Sequence, residues 1–83
     1  MLLSDNLLNQ SKITIFTIAN CPHCEKAKEL LRTTNYSVYD VAVDVKPAVG
    51  QLVVERTGHK TWPQIFHGEH FIGGYTELTQ YLK

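Results

Sequence analysis

Two thiols stand three positions apart in Cys21-Pro22-His23-Cys24, and they are the only cysteines of the chain. Thiol–disulfide exchange needs one accessible thiolate to attack and a second thiol close enough to resolve the mixed disulfide. The start of a helix meets both needs. Pro22 suits the first helical position, where its missing N–H costs no hydrogen bond and its fixed φ stiffens the turn. Cys21 then falls near the N-cap and Cys24 one turn inside, with both sulfurs on one side. Free amide N–H groups and the helix dipole favour negative charge on the Cys21 sulfur. A protonated His23 would add to that field.

Lowering a thiol pKa from about 8.5 to about 5 raises its thiolate fraction at neutral pH roughly 30-fold. The same change lowers intrinsic nucleophilicity by about 25- to 60-fold. For attack the two effects nearly cancel. The net gain falls on Cys21 as a leaving group, when a second thiol opens the mixed disulfide.

Two further motifs could hold a substrate. A cis bond between Trp62 and Pro63 would expose the backbone N–H and C=O of Trp62, although only about 5–6% of such bonds are cis and punctuation of a strand is the plainer reading. Gly73-Gly74 lies between a strand and a helix start, where Tyr75 and Thr76 would present free N–H groups to a carboxylate. A backbone edge, a carboxylate cradle and a nucleophilic thiol together suit a small, extended, anionic thiol peptide.

The elements that must position these residues follow from periodicity. Lys12 to Thr17 alternates, with Ile13 and Ile15 on one face and Thr14 and Phe16 on the other, which predicts a central strand. Pro22 to about Arg32 carries Cys24, Ala27, Leu30 and Leu31 at helical spacing, and Asn35 stops it. Ser37 to Asp44 reads as a second strand. Lys46-Pro47 opens a helix with Val49, Leu52 and Val53 as its buried stripe, and Gly58 ends it. Trp62 to His67 and His70 to Ile72 read as strands joined by a hairpin, and Tyr75 to Lys83 as a last helix with Leu78 and Leu82 inward. The order is β-α-β-α-β-β-α, with a parallel first pair and the hairpin extending the same sheet. Residues 1–11 read as a tail or one short helical turn, and 12–83 as a single domain.

Composition narrows the function class. At 83 residues and 43% apolar content the chain builds one thin core. Eight basic and eight acidic side chains cancel, so the basic footprint of a nucleic-acid or membrane-surface binder is missing. No stretch approaches the roughly 20 apolar residues of a membrane span. Met1 to Gln10 has no Lys or Arg and an apolar run of only three, unlike a secretory signal. Two cysteines make no disulfide-dense scaffold. A cytoplasmic, monomeric domain is the expectation.

Taken together, Cys21-Pro22-His23-Cys24, Thr61-Trp62-Pro63-Gln64-Ile65-Phe66 and Gly73-Gly74-Tyr75-Thr76 resemble the small dithiol glutaredoxins, over roughly Lys12 to Lys83. The resemblance implies a thioredoxin-like α/β fold, a cis Pro63 facing the cysteines, and glutathione as the reducing partner. It implies Cys21 as carrier of the glutathionyl mixed disulfide and Cys24 as resolving thiol. Trp62 and Pro63, with Gly74, Tyr75 and Thr76, would bind the tripeptide. Disulfide-bearing or glutathionylated proteins are the implied substrates, with no tightly bound cofactor and no metal. Three positions depart from the family pattern. His23 stands where many relatives have tyrosine, and Ile18 where they often carry a lysine for glutathione's glycine carboxylate, leaving Gln51 or Lys60 as substitutes. Thr76 stands where many have aspartate. Three other readings stay open: a thioredoxin-like reductant fed by a flavoprotein reductase, an iron–sulfur carrier, and a zinc module using Cys21, Cys24, His67 and His70.

Overall fold

The structure, a computed structural model, describes residues 12–83. The tail or helical turn expected before Lys12 lies outside the described residues. Strand β1 (Lys12–Thr17) leads to helix α1 (Pro22–Arg32), strand β2 (Ser37–Ala42) and helix α2 (Pro47–Thr57). The hairpin of β3 (Gln64–His67) and β4 (His70–Gly73) follows, and α3 (Tyr75–Tyr81) closes the chain. All four strands form one sheet in the order β2-β1-β3-β4. β1 pairs parallel with β2 and antiparallel with β3, as its apolar residues on both faces require of a central strand.

The alternation of β1 divides the molecule into layers. Ile13 and Ile15 join Ala27 and Leu31 of α1, Ile65 of β3 and Leu78 of α3 in one fully buried cluster. Thr14 and Phe16 face the other way, beside Val49, Leu52 and Val53 of α2. The sheet thus lies between α1 and α3 on one side and α2 on the other.

Three expectations change. β2 ends at Ala42 rather than Asp44, because Val43 and Asp44 leave the strand to serve the loop before α1. The Val43 N–H still donates to Thr17 O (2.8 Å), and Asp44 Oδ2 accepts from the Ala19 N–H (3.0 Å). Within α2, Val53 is buried, but Leu52 is 51% exposed, so the buried stripe is narrower than its apolar spacing implies. Trp62 and Pro63 precede β3, which begins at Gln64. They form the loop that faces the cysteines.

Polar contacts tie the layers. Lys28 of α1 reaches Asp40 of β2 (3.1 Å) and Glu25 (3.2 Å), which hold its ammonium above the ordinary lysine pKa. Thr17 donates to the other Asp40 oxygen at 2.7 Å. Gln64, fully buried at the start of β3, anchors the loop that precedes it. Its Nε2 donates to His59 O, and its Oε1 lies 2.8 Å from the Thr57 hydroxyl. Replacing Gln64 by Leu takes the side-chain donor from the His59 carbonyl, while the Thr57 hydroxyl keeps its bond to Val53 O, at a cost of about 1–3 kcal/mol. Thermal melts of Gln64→Leu are expected to show a clear fall in Tm, and an unchanged Tm would contradict this role.

Candidate functional site

The approach to α1 is built from local backbone chemistry. Asn20 takes a left-handed φ of 56°, a conformation its side chain tolerates better than most. Cys21 is extended (φ −120°, ψ 99°) and serves as N-cap, with Pro22 at the first helical position. The Cys21 sulfur accepts from the Cys24 N–H at 3.2 Å. Sulfur thus does here what a serine or aspartate oxygen does at other helix starts. Cys21 and Cys24 are joined in a disulfide, with Cα atoms 5.2 Å apart. Their environments differ sharply. Cys24 is completely buried, whereas Cys21 is partly open and its Sγ lies 3.8 Å from Trp62 O.

Trp62-Pro63 is a cis peptide. Pro63 is buried, and the Trp62 N–H has no protein partner among the described residues. Beyond Pro63 the chain meets the second glycine motif. Gly73 has φ 129°, and a Cβ there would fall 2.7 Å from Glu77 Cγ. Gly74 caps α3, and its N–H donates to Glu77 Oε1 at 2.8 Å. That bond, followed by Glu77's own N–H, lowers the Glu77 carboxyl below its ordinary value, with His59 acting in the same direction. Tyr75 and Thr76 occupy the first two positions of α3.

These pieces enclose a cleft of about 420 Å³ that includes His23, Trp62, Pro63, Gly74, Tyr75 and Thr76. Six of the residues singled out in the sequence therefore come together beside the cysteines. His23 is exposed, its ring 6.1 Å from that of Tyr75. Gln51 lies in a second groove, which Ile18 and Trp62 also line. Lys60 is exposed and lines neither. His67 and His70 pair across the hairpin beside Ile13, at the other end of β1 from the cysteines, about 13 Å along the strand. No group of three or more metal-binding side chains occurs among the described residues. The four-ligand zinc arrangement therefore does not assemble.

Comparison with known proteins decides the family. The glutaredoxin family model matches residues 13–72. The chain belongs to the glutaredoxin family. It is 36% identical over 66 residues to a glutaredoxin of Pseudomonas aeruginosa, covering 80% of this chain and 79% of that one. Among solved structures it is similar to the glutaredoxin of Brucella melitensis, with a TM-score of 0.75 at 30% identity over 89% of this chain and 80% of that one. The buckwheat glutaredoxin–glutathione complex shares the fold, with a TM-score of 0.79 at 21% identity over 98% and 76% of the two chains. Membership and the thioredoxin-like glutaredoxin fold make the chain a thiol–disulfide oxidoreductase.

Sequence reasoning missed Glu77 and Asp44. For Glu77 a signal existed, since an acid three residues after a helix N-cap is the spacing of a capping box. Asp44 gave none, being 25 positions from the Ala19 N–H it binds. Because the Glu77 carboxyl is lowered by folding, its stabilisation is full above the unfolded value of about 4.3 and is lost as pH falls through the folded one. Glu77→Ala is expected to cost about 0.5–1 kcal/mol at neutral pH. Melting curves of wild type and variant should converge in acid, and a gap that persists there would contradict the assignment.

Proposed function

We propose that the protein is a glutathione-dependent reductant of protein disulfides and glutathionyl mixed disulfides. The observation that carries this reading is the contrast between a partly open Cys21 at the helix N-cap and a fully buried Cys24. In the reduced protein the Cys21 thiolate attacks a substrate sulfur, and the first substrate thiolate leaves. Cys24, deprotonated as it attacks, then takes the Cys21 sulfur, and the second thiolate departs as the Cys21–Cys24 disulfide closes. Two electrons have passed from protein to substrate. One glutathione thiolate reopens that disulfide, and a second releases oxidised glutathione. With a glutathionylated substrate Cys21 suffices, since the glutathionyl group moves to Cys21 and a further glutathione removes it.

The cleft supports the glutathione reading. The unpartnered Trp62 N–H would pair with the tripeptide's cysteine, and the N–H groups of Tyr75 and Thr76 would meet its γ-glutamyl carboxylate. Thr76 brings no charge for the γ-glutamyl ammonium, but the Glu77 carboxylate lines the same cleft. Turnover by glutathione fits a reducing compartment such as the cytoplasm.

Steady-state reduction of a small glutathione mixed disulfide, with glutathione and its NADPH-coupled reductase, tests this. Wild type and Cys24→Ser are expected to turn over, and Cys21→Ser to lose activity by at least about 1,000-fold, as expected when a covalent nucleophile is removed. Activity retained in Cys21→Ser would overturn the nucleophile. Turnover supported by a flavoprotein thioredoxin reductase and not by glutathione would overturn the co-substrate.

A further inference from the structure

Among the described residues the sheet carries two helices on one face and one on the other. α1 and α3 cover the first face, and α2 crosses the second, where part of the sheet stays open. Between α2 and the sheet runs a groove of about 370 Å³, and it shares no residue with the cleft beside the cysteines. One wall is a stripe along α2, where Val49, Leu52, Val53 and Arg56 recur at i, i+3, i+4 and i+7. The other is the sheet itself, with Phe16 of β1 and Phe66 of β3. Their rings meet edge to face, 5.7 Å between centres.

Two features say what such a groove takes. Its walls are apolar and incompletely covered, since Phe16 and Phe66 are half-buried and Leu52 is more exposed than either. An alkyl chain laid there leaves water, and each buried methylene is worth about fourfold in affinity. Arg56 sets the charge. It stands in the last turn of α2 with no ion pair among the described residues, and none of those that line the groove is acidic. A guanidinium holds a carboxylate through two parallel N–H···O bonds. From Val49 to Arg56 the α2 wall runs about 10 Å, at 1.5 Å per residue. That length suits a single alkyl chain, and it gives a partner helix fewer than two turns to grip.

We propose that this groove binds a single-chain aliphatic carboxylate, with the chain between the α2 stripe and the two phenylalanine rings and the carboxylate on Arg56. Binding is noncovalent and independent of the function proposed above. The groove lies on the face of the sheet opposite α1, so the cysteine pair keeps its exchange chemistry whether or not the groove is filled.

Amide resonances of the oxidised protein, titrated with sodium octanoate below its micelle concentration, test this. Saturable shifts are expected at Phe16, Phe66 and along α2 from Val49 to Arg56, and not at Tyr75 or Thr76. Decanoate, with two further methylenes, is expected to bind roughly 16-fold more tightly. Octylammonium should bind at least about threefold more weakly than octanoate, and Arg56→Gln, at an exposed position, should erase that difference. No saturable shift, an affinity independent of chain length, or a preference for the carboxylate that survives in Arg56→Gln would each overturn the assignment. So would shifts of the same residues when the ligand-free protein is diluted, which would give the groove to a second copy of the chain.

Discussion

The first amide N–H groups of a helix have no preceding carbonyl to bond, and at α1 the Cys24 N–H finds the Cys21 sulfur instead. Much of the molecule follows from that contact. A sulfur acting as N-cap must lie at the helix mouth, which leaves Cys21 partly open, and the residue one turn on must point inward, which buries Cys24. The two thiols share a motif yet face different surroundings, and disulfide exchange needs that asymmetry. A charged sulfur also gains more from an amide N–H than a neutral one does. On the proposed function, the same contact in the reduced protein would favour the thiolate form of the residue that the fold exposes.

The remaining elements hold partners to this sulfur. β1 delivers the chain to the helix mouth, and Asp44 steadies the turn through Ala19. Gln64 fixes the loop that sets Trp62 O 3.8 Å from Cys21 Sγ. Gly73 and Gly74 let the hairpin run straight into α3, with Glu77 completing the cap. None of these three supports performs chemistry. Each shapes what can approach the sulfur.

Legibility from the sequence tracked the range of the interactions. β1, α1 and the Cys-x-x-Cys were readable because alternation, helical spacing and Pro22 act within a few residues. Gly58 at the end of α2 was readable for the same reason, its φ of 71° being a local demand. The end of β2 was not, since it is set by Asp44 turning toward Ala19 across 25 positions. Nor was the burial of Gln64, a polar residue whose partners are supplied by the end of α2 and the loop after it. Leu52 read as core because helical spacing shows a face, and only the packed sheet shows how much of that face it covers. At the site, residue types pointed to the cysteines and the two glycine and proline motifs. The groove beside Ile18 emerged only when Val43, Pro47 and Val54 were brought around it.

A helix mouth that stabilises a thiolate at Cys21 must show itself when that thiol is titrated. Thiolate absorbance followed against pH in reduced Cys24→Ser, which leaves one thiol, is predicted to give a pKa well below the reference value of about 8.5. A value at or above that reference would contradict the account.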